Sequence, residues 1–155
     1  MRKNDQVIAR VSEIYKWIDE QLGQNPAAGL PRPTSGRVEA GACSACGKCC
    51  DFEAFGHRLF VTTPEMIYFA DKTGGQKFKQ MTTGRCSYQH DSKCTVYKYR
   101  FAGCRIFSCK GNVDFQSELT EAVVRKFKDL CEKFKIPYQY AELPTACQAV
   151  IDHLK

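Results

Sequence analysis

The segment Cys43-Ser-Ala-Cys46-Gly-Lys-Cys49-Cys50 places four of the chain's ten cysteines within eight consecutive positions. Its first three cysteines form a C-x2-C-x2-C pattern, and thiolates at this spacing can converge on one small inorganic centre. Gly47 follows the second cysteine directly and can adopt the positive φ that lets backbone N–H groups point at sulfur. The segment therefore predicts a bound metal centre, with the neighbouring loops folded around it.

A second group of cysteines lies within residues 84–109. Its spacings do not match a standard zinc finger, but two of its members are each followed closely by an aromatic residue that could shield a centre from water. Arg100 and Arg105 could offset the negative charge of the thiolates, or they are ordinary surface arginines. We predict that eight cysteines bind the metal or cofactor: Cys43, Cys46, Cys49, Cys50, Cys86, Cys94, Cys104 and Cys109.

The spacing of the first segment fits two kinds of centre. Cysteines at i, i+3 and i+6 bind three irons of a 4Fe–4S cluster in ferredoxins, with a remote fourth ligand. A Cys-x-x-Cys-Gly turn is equally a zinc knuckle, completed by a cysteine pair elsewhere. Adjacent residues point in different directions, so Cys49 and Cys50 are not expected to share one mononuclear site; one of them bridges, serves a second site or stays free. An ordinary ferredoxin has its fourth cysteine at position 53, where this chain has Glu53.

Compartment and charge limit the function classes. The first ten residues lack the apolar region and cleavage site of a signal peptide, and no apolar run reaches the roughly 18 residues of a membrane span. The expected location is the cytoplasm, where dense cysteines indicate metal binding rather than disulfides.

The net charge does not indicate nucleic-acid binding. Its formal value is +6, but deprotonated cysteine ligands lower it, and the basic residues are scattered along the chain. We expect a protein or redox partner, and neither a membrane nor a nucleic acid.

Hydrophobic periodicity predicts helices on both sides of the cysteine-rich regions. An apolar stripe predicts an amphipathic helix over residues 5–22, which packs on its own domain or, alternatively, pairs with a partner. Thr63 is the expected N-cap of a second helix, with Pro64 at its first position. A third helix is predicted over Ser117–Lys135, and a last one from Pro144 to residue 154. A short strand is predicted over residues 58–62.

These elements indicate an α+β fold, a small metal-stabilised single domain with irregular cysteine-rich loops, short strands and flanking helices. Residues 1–23 form the N-terminal helix, residues 24–41 a connector rich in proline and glycine, and residues 42–155 the cysteine-cluster domain. Cys131 and Cys147 lie on apolar helical faces. We expect both to be buried core residues rather than ligands.

The cysteine motifs resemble the YkgJ-like CxxCxxCC cysteine-cluster family, which is described as zinc- or iron-chelating. The similarity rests on Cys43–Cys50, Arg85-Cys86, Cys94-x-Val-Tyr97-x-x-Arg100 and Cys104-Arg105-x-Phe107. The family usually has a proline after the arginine at position 100, where this chain has Phe101. A domain of this type occurs in flagellin lysine N-methylases, where it is associated with an iron–sulfur cluster. The resemblance implies metal binding and favours iron, but this chain has no glycine-rich methyl-donor site.

Three functions are consistent with the sequence. The favoured one is a protein that holds an iron–sulfur cluster, preferably 4Fe–4S, for electron transfer or a protein-modification reaction. The second is a module in which zinc is structural and a surface binds a protein partner. The third is a metal-handling protein that passes on zinc, iron or copper. No catalytic residue is assigned, because no nucleophile–base set or phosphate-binding loop is present.

Overall fold

The computed structural model describes residues 2–24, 59–74, 88–90, 93–94, 97–106 and 113–154. Most of these residues are in helices: α1 (Lys3–Gln24), α2 (Thr63–Lys72), α3 (Ala102–Ile106), α4 (Val113–Phe134) and α5 (Leu143–Leu154), with a 3₁₀ helix at Tyr97–Tyr99. The strands are β1 (Phe60–Thr62), β2 (Gln89–His90), β3 (Lys93–Cys94) and β4 (Tyr140–Glu142). β1 pairs with β4 and β2 with β3, both antiparallel. The described part is thus mostly helical with short antiparallel strand pairs. None of its helices is both long and apolar enough to cross a membrane.

α1 packs against the rest of the domain along one face. Val7, Val11, Tyr15 and Ile18 are all buried and belong to a hydrophobic cluster with residues of α2, α3 and α4. Steps of three and four residues place side chains on one face of a helix. The predicted amphipathic helix therefore packs on its own domain, and this apolar face is used within the chain.

α4 forms the opposite side of this cluster and ends in a Schellman motif. It begins at Val113 rather than at the predicted Ser117, and ends at Phe134. Lys135 then adopts a left-handed φ of 55°. The Lys135 amide donates to the Glu132 carbonyl at 3.3 Å, and the Ile136 amide donates to the Cys131 carbonyl at 2.9 Å. These two bonds supply donors to carbonyls that have no hydrogen-bond partner within the last turn of a helix.

The N-terminus of α2 differs by one residue from the prediction. Thr62, not Thr63, is the N-cap, with an extended backbone at φ −105° and ψ 162°. Glu65 lies three residues after Thr62 and accepts a hydrogen bond from the Thr62 amide at 2.8 Å. The residue three positions after Thr63 is Met66, which cannot return such a bond. The capping-box geometry therefore selects Thr62.

A second hydrophobic cluster lies between the β1–β4 pair, α2 and α5. Its buried members are Leu59, Val61, Met66, Phe69, Tyr88, Phe101, Leu143 and Cys147. Gly103 of α3 approaches Leu59 so closely that a Cβ at position 103 would lie 2.5 Å from Leu59 Cδ1. Glycine at this position lets α3, which carries Cys104, pack directly against the residue before β1.

Candidate metal centre

Two of the eight predicted cysteine ligands lie in the described part of the chain: Cys94 ends β3, and Cys104 lies on α3. The other six fall outside the described residues: Cys43, Cys46, Cys49, Cys50, Cys86 and Cys109. Within the described ranges, no three His, Cys, Asp or Glu side chains are grouped to hold a metal ion. The ligand set therefore stays a prediction, and the described residues show how Cys104 is positioned.

Cys131 and Cys147 are core residues, as predicted. Cys131 is 2% exposed, Cys147 is fully buried, and neither is in a disulfide. Burial raises the pKa of the Cys131 thiol, and it raises the pKa of the Cys147 thiol to about 11. Metal ions bind the thiolate, so a thiol whose pKa is raised by apolar surroundings is a poor ligand.

The buried Cys147 thiol predicts a loss of stability in alkaline solution. Its pKa is about 11 in the folded protein, against 9.0 for an ordinary thiol, so the unfolded chain loses this proton first. The contribution is fully present below pH 9 and is lost as pH rises to 11, by about 2 to 3 kcal/mol. Urea unfolding under reducing conditions, at several pH values across this window, measures the effect. Wild type should lose stability relative to Cys147→Ala, and a constant difference between them would contradict the assignment.

Arg105, next to Cys104 on α3, donates to three hydrogen-bond acceptors. Its Nε donates to the Arg100 carbonyl at 2.9 Å, and its Nη2 donates to the Lys98 carbonyl at 3.1 Å. Its Nη1 forms an ion pair with Asp19 of α1 at 2.9 Å. The side chain is only 8% exposed. Arg105 is therefore not an ordinary surface arginine, because its guanidinium links residues 98–100, which precede α3, to Asp19 of α1.

Tyr15 of α1 contacts both Arg105 and a buried acid. The Arg105 guanidinium carbon lies 4.3 Å from the centroid of the Tyr15 ring, a cation–π contact. The Tyr15 hydroxyl donates to Glu65 Oε1 at 3.2 Å. Burial, and next the Glu65 carboxylate, raise the pKa of Tyr15 well above its usual range, and Cys104 contributes in the same direction. Tyr15 therefore links α1 to Glu65 of α2 and to Arg105 of α3.

Glu65 is a buried carboxylate that joins α1, α2 and α3. It is 2% exposed. Its Oε1 accepts from the Ala102 amide at 2.7 Å and from the Tyr15 hydroxyl, while its Oε2 accepts from the Thr62 amide and hydroxyl at 2.8 and 3.0 Å. The pKa of Glu65 is raised overall, because the effect of burial exceeds the lowering effect of these hydrogen bonds. Because Thr62 caps α2 and Ala102 begins α3, one carboxylate satisfies N-terminal amides of both helices.

No local sequence pattern assigns such a role to Tyr15, Asp19 or Glu65. Tyr15 belongs to the apolar stripe of α1, and its hydroxyl gives no local signal. The spacing between Thr62 and Glu65 is that of a capping box and identifies the acid as a helix cap. Asp19 and Arg105 are 86 residues apart, so no local pattern connects them.

The pattern of a known family matches residues 42–148, which include all ten cysteines. The family is CxxCxxCC, with the description "Putative zinc- or iron-chelating domain". The match covers more than half of the chain. The chain belongs to the CxxCxxCC family. The matched residues contain α2, α3 and α4, whereas α1 lies before them. Comparisons with curated proteins and with solved structures find no significant match.

The donor chemistry of this CxxCxxCC chain fits a chelated metal. Thiolates bind both zinc and iron. Cys104 is half-buried on a helix whose backbone and neighbouring side chain are anchored, and such a thiol keeps access to a metal ion. Cys131 and Cys147 are enclosed in the core and do not fit. Thiolate chemistry by itself does not distinguish zinc from iron.

Proposed function

We propose that the CxxCxxCC cluster of this chain holds a 4Fe–4S centre that serves electron transfer or a protein-modification reaction. The observation that carries the proposal is the C-x2-C-x2-C spacing of Cys43, Cys46 and Cys49, with which ferredoxins bind three irons of a cluster. The fourth ligand would come from the second cysteine group, Cys86 to Cys109. Bound there, the centre would supply one-electron chemistry.

The composition of the helical core supports a metal centre that stabilises a domain with its own hydrophobic core. The cluster formed by α1, α2, α3 and α4 contains no cysteine among its members. Metal binding would then stabilise the cysteine-bearing loops in addition to this core, unlike a short zinc finger that is unfolded without metal. We further propose that the protein works in the reducing cytoplasm with a protein or redox partner, since eight clustered thiols require such conditions to stay reduced.

A structural zinc site is the second candidate. It is favoured by Gly47 directly after the Cys43-x-x-Cys46 pair, which is the arrangement of a zinc knuckle. The domain would then be a binding module for a protein partner, and its metal would hold the loops without taking part in redox chemistry.

Elemental analysis of anaerobically purified protein tests the proposal. Iron, zinc and copper are measured per chain together with acid-labile sulfide. Iron with matching sulfide, a brown colour and a visible charge-transfer band is the expected result. Stoichiometric zinc without sulfide would replace the iron–sulfur proposal by the zinc candidate. Exchangeable metal of variable stoichiometry would point to metal handling instead.

A further inference from the structure

The cysteine-bearing segment of the CxxCxxCC domain is anchored by a helix that lies outside the residues matched to the family. Two contacts carry this anchoring: Arg105 binds Asp19 of α1 at 2.9 Å, and Glu65 accepts from the Tyr15 hydroxyl of α1 and from the first amide of α3. We call Tyr15, Asp19, Glu65 and Arg105 the α1–α3 clamp. Three of its members are buried or nearly so, with Tyr15 3% and Glu65 2% exposed and the Arg105 side chain 8% exposed.

The clamp acts on the chain between two predicted ligands. Arg105 binds the carbonyls of Lys98 and Arg100, and both residues lie between Cys94 and Cys104 in the sequence. α3 itself has only five residues, too few to be stable without tertiary contacts. Besides the packing of Ala102 and Ile106 in the core, two polar contacts hold its ends: Glu65 at its first amide and Arg105 near its last turn.

We infer that Tyr15 and Asp19 of α1 are positioning residues for the metal centre, acting through Glu65 and Arg105 on Cys104. The inference rests on the proposed function, since it takes Cys104 as a ligand. A ligand sulfur has to be held within about 0.5 Å of its productive position by supporting contacts. The N-terminal helix thus belongs to the metal-binding unit of this chain.

Arginine is required at position 105 because three separate acceptors surround it. Its planar guanidinium reaches two carbonyls and a carboxylate at the same time and also lies over the Tyr15 ring. Lysine has one nitrogen on a flexible stem and cannot make these contacts together. Arg105→Lys therefore keeps the positive charge but loses the contacts to the carbonyls of Lys98 and Arg100. The variant thus separates the positioning role of Arg105 from a role in compensating thiolate charge.

The test measures metal release from the full-length, metal-loaded protein to EDTA. Arg105→Lys should release metal about 10- to 100-fold faster than wild type, the loss typical of residues that support metal ligands. Asp19→Ala should also speed metal release, but by less, because the two contacts of Arg105 with backbone carbonyls remain. Asp19 is half exposed, so this variant keeps the fold even if Arg105→Lys does not.

Two matched controls lie on α1 itself. Arg10 and Glu13 form an exposed ion pair at 2.8 Å. Arg10→Lys repeats the arginine substitution and Glu13→Ala removes an ion-paired carboxylate, both away from the clamp, so both variants should release metal at the wild-type rate. Val123→Ala lowers stability from within the same core cluster. The visible spectrum of the loaded protein should change in Arg105→Lys and stay unchanged in Val123→Ala.

The outcomes distinguish this inference from the proposed function. Wild type that binds neither iron nor zinc contradicts the proposed function and the inference with it. Metal-loaded wild type with unchanged release in Arg105→Lys and Asp19→Ala contradicts the inference alone. The inference is also overturned if Val123→Ala, at an equal urea midpoint, releases metal as fast as Arg105→Lys, because the effect would then be one of general stability.

Discussion

Replacing Glu65 with glutamine should lower the free energy of unfolding by about 2 to 4 kcal/mol. Each carboxylate oxygen accepts one backbone amide, from Ala102 at 2.7 Å and from Thr62 at 2.8 Å. An amide nitrogen cannot accept a hydrogen bond, so either orientation of glutamine leaves one buried N–H without a partner. The new NH₂ group also faces that N–H directly. Urea unfolding followed by circular dichroism measures the change.

Glu13→Gln is the matched control for this substitution. Glu13 lies on the exposed side of α1, paired with Arg10 at 2.8 Å, and the variant loses the same charge. Exposed ion pairs contribute little, so its stability should stay within about 0.5 kcal/mol of wild type. A Glu65→Gln protein that unfolds at the wild-type urea concentration would show that the buried carboxylate does not hold α2 and α3 together.

Cys46→Ser should abolish metal binding, the largest functional effect expected of a single substitution. Cys46 is the central member of the C-x2-C-x2-C run, and a serine hydroxyl does not replace a thiolate for zinc or iron at neutral pH. Metal per chain after anaerobic purification should fall to near zero, and stability should fall with it. The far-UV circular dichroism should still show a helical protein, because the cluster around α1 and α4 contains no cysteine.

Cys131→Ser makes the same atomic change at a cysteine outside the predicted ligand set. Cys131 is 2% exposed in α4, so the buried hydroxyl should lower stability by about 1 to 3 kcal/mol while metal content stays at the wild-type value. Unchanged metal in Cys46→Ser would contradict the ligand assignment. Substantial metal loss in Cys131→Ser would contradict the core assignment of that residue.

Elements with a local signal were predictable from the sequence. The amphipathic stripe of α1 and the apolar face of α4 recur with helical spacing, and both faces are buried where the pattern places them. The burial of Cys131 and Cys147 follows from the same periodicity. β4 was not predicted: its residues, Tyr140–Glu142, form a strand only by pairing with β1 across the chain, and short strands depend on such long-range context.

The α1–α3 clamp could not be predicted because its charges and hydrogen bonds join distant parts of the chain. Glu65 and Ala102 are 37 residues apart, and Tyr15 and Glu65 are 50 apart. From the sequence alone, Arg105 is expected either to offset thiolate charge or to lie exposed on the surface. The structure shows a third use, in which the guanidinium fastens the chain beside Cys104 to α1.

The sequence by itself determined the four longer helices α1, α2, α4 and α5, the core positions of Cys131 and Cys147, and membership of the CxxCxxCC family. All three depend on spacing along the chain, which periodicity and motif reveal directly. Only the tertiary structure decided which helix holds the Cys104 segment and through which side chains. A buried carboxylate and a buried guanidinium each need several partners at once, and only the packing of α1 and α2 against α3 brings those partners together.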